Sequence, residues 1–152
     1  MHYDVRVDHV AALPLASIRA ATTQDKLGAD IIRLLNVVWP VLRDQAEVQP
    51  GQNVVIYYGE AGGVLTIDVG VEVRGGFVPS GEVKLTASPA GEAATTVHFG
   101  DYSDLAGAYE ALDQWCSAHD RIHEVAWEVY GDWEEDEAKR RTDVFFLLNP
   151  AR

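Results

Sequence analysis

The chain has 152 residues, 12 basic against 24 acidic for a formal charge of −12, with 47% apolar side chains and one cysteine. A chain of this size buries roughly two thirds of its unfolded surface, so residues 1–152 are expected to fold as one domain without a metal or disulfide staple. The charge repels phosphate backbones and argues against direct DNA or RNA binding; residues 37–42 and 144–148, the longest apolar runs, fall far short of a bilayer span.

Near the N-terminus, residues 10–16 are apolar enough for a short signal core, but Asp4 and Asp8 outnumber Arg6 ahead of it, the wrong charge for a signal peptide. A strand is predicted over residues 16–20. Leu27, Ile31, Leu34, Leu35, Val38 and Leu42 then recur at steps of three and four, predicting a helix over residues 26–45 in which Pro40 should introduce a kink. Strands follow over 53–58 and 64–73, and Gly75, Gly76, Pro79 and Gly81 read as a turn-rich connection. Two more strands are predicted over 82–87 and 94–99. Leu105, Ala108, Tyr109, Leu112, Trp115 and Cys116 form a second helical stripe, with Ser103 and Asp104 as its N-terminal signal and an end near Ala118. Strands over 125–130 and 142–148 flank the run Glu134, Glu135, Asp136, Glu137, Lys139, Arg140, Arg141, a mixed charge stretch that reads as solvated.

The order strand, helix, strand, strand occurs twice, in half-repeats of roughly residues 3–74 and 82–150. Leu27 falls on Leu105 and Leu34 on Leu112 at a shift of 78, and Tyr58-Gly59 on Tyr130-Gly131 at a shift of 72. The expected architecture is α+β: a pseudo-twofold tandem repeat of β-α-β-β units, a mixed, mainly antiparallel sheet, two main helices and a cleft where the copies meet.

Ala126-Trp127-Glu128-Val129-Tyr130 is the most informative segment. Strand alternation sends Trp127 and Val129 to one face and Ala126, Glu128 and Tyr130 to the other. Carboxylates are depleted in strands, so one amid this much apolar surface lies at a wet edge or serves a purpose. At the shift of 72, Tyr58 matches Tyr130 while Ile56 stands where Glu128 does, so charge enters from one copy only. A shielded carboxylate among aromatic rings suits a flat, apolar cation. Tyr102, Tyr109 and Trp39 are further aromatic candidates, each also readable as core.

Other chemistry finds little support. His2, His9, His98, His119 and His123 with one cysteine make no zinc spacing, and His119 and His123 fall in a predicted loop, so no metal is expected. Cys116 lies on a buried stripe and reads as an inert core thiol, and with nothing marking an oxidising compartment the expected location is the cytoplasm. Residues 59–63 lack the glycine spacing and lysine of a phosphate loop, there is no serine elbow, and no cofactor is expected. His98 reads as a hydrogen-bonding residue at a strand end rather than a base.

His98-Phe99-Gly100-Asp101-Tyr102, then Leu105, Ala108-Tyr109, Leu112 and Trp115, then Trp127-Glu128-Val129-Tyr130 and Arg141-Thr142-Asp143-Val144, resemble the bacterial effector-binding domains of the GyrI-like superfamily. Tyr57-Tyr58 and Asp68-Val69-Gly70-Val71 look like the corresponding segments of the first copy, although residues 19–23, read as a loop, lack its His-x-Gly-x-Tyr pattern. The resemblance implies two SH2-like units with a ligand cleft between them. It also implies that Glu128 stands where multidrug-responsive regulators carry a glutamate that contacts cationic ligands. Such regulators carry a helix-turn-helix module ahead of the domain, whereas here the domain takes up residues 1–152, so a stand-alone member is expected.

The leading expectation is non-catalytic capture of a cationic or aromatic small molecule, as effector sensor or sequestering protein, through Glu128, Tyr130, Tyr58, Tyr102, Tyr109 and Trp39. A second reading, from relatives that hydrolyse reactive cyclopropane-bearing compounds, makes Glu128 catalytic. A third makes the chain a protein-interaction inhibitor of the DNA gyrase-inhibitor type, its partner protein unknown. No nucleic acid or membrane partner is expected.

Overall fold

The computed structural model describes residues 2–150. In chain order the elements are β1 (Arg6–Val10), β2 (Pro14–Thr22), α1 (Leu27–Arg43), β3 (Gln49–Ala61), β4 (Val64–Arg74), β5 (Lys84–Ala87), β6 (Gly91–Phe99), α2 (Ala106–Ala118), β7 (His123–Tyr130) and β8 (Arg141–Leu148). The class is α+β, with two helices and antiparallel strand pairing within each of two compact units.

The unit Ala12–Pro89 has the strand order β3-β4-β2-β5. β3 and β4 are joined by Gly62 and Gly63, both at positive φ, which is the backbone a two-residue hairpin of right-handed twist requires. Leu34, Val38 and Leu42, four residues apart, are the buried stripe of α1. The helix runs through Pro40 to Arg43, giving up the one N–H bond that proline cannot donate. Ile18, Val55, Ile67 and Val69 supply buried apolar side chains from the strands.

The second unit comprises residues 2–11 and 90–150, with the strand order β1-β6-β8-β7. Ala108, Leu112 and Cys116 of α2 pack with Ala94, Ala126, Val144, Phe146 and Leu148. Burial also pushes the Cys116 thiol up, so the native protein should resist N-ethylmaleimide that labels the unfolded chain at once, a difference that mass spectrometry reads directly.

The structure departs from the sequence expectations in specific places. β1 has no predicted counterpart, because Arg6, Asp8 and His9 leave it without the apolar alternation of a half-buried strand, as suits a charged sheet edge. Its pairing with β6 puts residues 2–11 in the unit of residues 90–150, not with a half-repeat of 3–74, since strand pairing is set by backbone hydrogen bonds rather than by chain proximity. Ser103 and Asp104 do not cap α2. Asp101 instead caps a single 3-10 turn, Tyr102–Asp104, accepting from the Tyr102 N–H at 2.9 Å and from Ser103 Oγ at 2.8 Å, and α2 begins at Ala106. Of the two histidines expected in the loop after the second helix, His119 does lie in the turn that follows α2, whereas His123 is the first residue of β7. His119 stacks on Trp115, and His123 stacks on Phe146 at 3.7 Å, burial lowering its pKa.

Candidate functional site

In β7 and β8, Ala126 lies opposite Phe146, Glu128 opposite Val144 and Tyr130 opposite Thr142. Cross-strand partners share a face, and α2 packs on this one through Leu112 and its neighbours. Trp127 turns to the other face and stacks on Phe145, centroids 4.8 Å apart. The alternation read from the sequence therefore carries a carboxylate under the helix, where Glu128 is 4% exposed.

Tyr109, reaching across from α2, donates its hydroxyl to Glu128 Oε2, and Tyr130 donates to Oε1. Taking a carboxylate out of water costs several kcal/mol, and hydrogen bonds to the ionised oxygens offset part of that. Tyr102 meets the Tyr130 ring edge-on at 5.5 Å. Four of the six residues expected to contact a ligand thus come together: Glu128, Tyr130, Tyr109 and Tyr102. The Thr142 hydroxyl, fully buried beside Tyr130 in the register, has no hydrogen-bond partner among the described residues.

Arg140 closes the loop after β7. Its guanidinium lies 4.0 Å from the Trp133 ring centroid and 5.9 Å from that of Tyr102, donates to the Glu134 carbonyl at 2.9 Å and pairs with Asp101 at 3.5 Å. The Ser103 hydroxyl, then the Tyr102 N–H and Arg140, hold the Asp101 carboxyl below the usual carboxylate range. His98 is fully buried, with Nδ1 bonded to Tyr3 Oη at 2.8 Å and Nε2 to the Asp101 carbonyl at 2.9 Å, the hydrogen-bonding role read from its position.

The other unit holds a cluster the sequence reading missed. Asp68 on β4, 4% exposed, accepts from Arg19 Nε at 2.9 Å, Arg19 Nη2 at 3.1 Å and Tyr58 Oη at 2.8 Å. Arg19 belongs to β2, not to a loop over 19–23, and pairs in register with Asp68. The available signal was a carboxylate in the middle of an apolar strand run, the same signal that singled out Glu128. Trp39 donates its indole N–H to Asn53 Oδ1 at 3.0 Å, with Arg43 5.9 Å from its ring centroid.

Tyr58 and Tyr130 do not occupy matching faces. Thr22 and Asn53 bond Asp30 and Trp39 of α1, so alternation along β2 and β3 puts Arg19, Ile56 and Asp68 on the sheet side away from α1. Tyr58 bonds Asp68 there, whereas Tyr130 shares the α2 side with Glu128. A one-residue slip reverses a strand's faces, so the 72-residue overlay matched the strands but not their sides.

Burial, then the bond to Asp68, raises the Tyr58 phenol to about 12. Because the folded pKa lies above the unfolded one, this group's stabilisation is complete below pH ~10 and lost as pH rises through the folded value. In an alkaline titration followed by phenolate absorbance, Tyr58→Phe should remove one phenol that ionises near pH 12.

A family model described as the GyrI-like small molecule binding domain matches residues 3–148. The chain belongs to this family. Solved structures similar to this GyrI-like domain include EcmrR in its complex with DNA, at a TM-score of 0.83 and 18% identity over 98% of this chain. This chain spans 58% of that EcmrR chain. The crystal structure of the EcmrR C-terminal domain matches at 0.78 and 19% identity, covering 99% of this chain and 100% of that one. SAV2435 bound to tetraphenylphosphonium matches at 0.66 and 13% identity, covering 98% of this chain and 94% of that one. Likeness at these identities shows a shared GyrI-like fold. Curated protein sequences give no match to the chain. Among the described residues, no helix is long and apolar enough to cross a membrane, and no group of three or more His, Cys, Asp or Glu residues could hold a metal ion.

Proposed function

We propose that this domain binds small lipophilic organic cations, with Glu128 as the counter-charge and Tyr102, Tyr109 and Tyr130 as aromatic surface. The carrying observation is the Glu128 carboxylate, 4% exposed and held by the hydroxyls of Tyr109 and Tyr130. Those hydroxyls fix its direction without adding charge of their own, and a delocalised cation gains from both the carboxylate and the ring faces, the latter about 0.5–2 kcal/mol each. A GyrI-like neighbour solved with tetraphenylphosphonium supports the ligand class.

Binding is preferred over hydrolysis of cyclopropane-bearing compounds, because both Glu128 oxygens already accept a hydrogen bond from a tyrosine hydroxyl, an arrangement suited to holding charge rather than to drawing a proton from water. The role is that of an effector sensor or sequestering protein in the cytoplasm. The two units, each ordered strand, helix, strand, strand through β2-α1-β3-β4 and β6-α2-β7-β8, are taken as SH2-like copies of one element. Calorimetric titration with tetraphenylphosphonium tests the reading: saturable binding is expected, and its absence up to the probe's solubility, for this and for rhodamine, would remove it.

A further inference from the structure

The unit Ala12–Pro89 holds its own cation on a tyrosine. Arg19 directs Nε and Nη2 to the two oxygens of Asp68, at 2.9 and 3.1 Å, while its guanidinium carbon lies 4.5 Å from the Tyr58 ring centroid. Tyr58 Oη completes the set by donating to Asp68 Oδ2. The cation arrives from solvent: the Arg19 side chain is 63% exposed, the Asp68 side chain 5%.

These contacts define what the place recognises. Two parallel N–H donors meeting two carboxylate oxygens require a planar N–C–N fork, which guanidinium and amidinium possess and an ammonium does not. A flat cation also lies against a ring face, as Arg19 does on Tyr58. We propose that Asp68 and Tyr58 form a binding seat for guanidinium- or amidinium-class cations, separate in chemistry from the Glu128 site, which Arg19 fills from within the chain. Arg19 is then an exclusion residue: while it is seated, the chain takes no second cation in this unit, and its exposed stem is the route by which a soluble competitor could replace it.

The test uses the full chain carrying Arg19→Ala, with methylguanidinium as probe and trimethylammonium as a non-planar control. Loss of the paired cation should lower the melting midpoint by roughly 5–10 °C. Methylguanidinium should restore most of that loss saturably, trimethylammonium should not, and the wild-type midpoint should stay unmoved at the same concentrations. Adding Asp68→Asn should abolish the rescue. Should Arg19→Ala fail to fold unaided, refolding with methylguanidinium and not with trimethylammonium supports the seat equally. Rescue that is absent, or that persists with Asp68→Asn, overturns it. The same titration in Glu128→Gln, Arg19→Ala should show unchanged rescue, so failure of the Glu128 reading leaves this outcome standing.

Discussion

Glu128→Gln should weaken tetraphenylphosphonium binding about 30-fold while leaving the fold intact. Truncating one partner of a buried charge pair costs about 2–5 kcal/mol, and the lower end applies because glutamine keeps the volume and one carbonyl acceptor. That acceptor can still take the hydroxyl of Tyr109 or of Tyr130, while the new amide faces the other. The loss should be specific to charge. Triphenylphosphine oxide, which offers similar rings without the positive charge, should bind wild type and Glu128→Gln alike. Paired calorimetric titrations with both probes, and a thermal melt to verify folding, make the comparison. Equal tetraphenylphosphonium affinity in the two proteins would take Glu128 out of the site.

Gly70→Ala should be among the most destabilising single substitutions in the chain. Gly70 sits in β4 opposite Ser17 of β2, and a Cβ built on it would lie 2.3 Å from the Ala16 carbonyl oxygen and 2.6 Å from Ser17 Cβ. The nearest atom belongs to the backbone of a paired strand, so relief requires β2 to move away from β4 rather than a rotamer change. Overpacking ordinarily costs about 1–3 kcal/mol, and a backbone collision belongs at or beyond the upper end, which lowers the midpoint by roughly 6–12 °C. Thermal and urea unfolding would measure it. A midpoint equal to wild type would mean that β2 and β4 stand farther apart than their register implies. The strain also falls two residues from Asp68 and Arg19, so Gly70→Ala should loosen the cation seat as well as the sheet.

Glu128 was legible from the sequence because its signal is local: a charge on the face of a strand that also carries Ala126 and Tyr130. Asp68 carries the same kind of signal within residues 64–73, but the 72-residue overlay pairs Glu128 with Ile56 and not with Asp68. That overlay was one residue out of phase with the faces of β3. Tyr109 illustrates the other limit. Helical spacing put it beside a buried stripe with Leu112 and Cys116, and no spacing rule tells whether its hydroxyl meets water or a carboxylate 19 positions along the chain.

Local periodicity set the two helices to within a few residues, seven of the eight strands and the side of β7 on which Glu128 stands, because residue spacing along one element is a property of the chain itself. Folding in three dimensions decided that β1 joins β6, that Tyr109 and Tyr130 grip the two oxygens of Glu128, and that Arg19 neutralises Asp68 across 49 residues. The reason is physical: a carboxylate's partner is fixed by strand register and by the direction from which a helix packs, and both arise from pairings between segments distant in sequence.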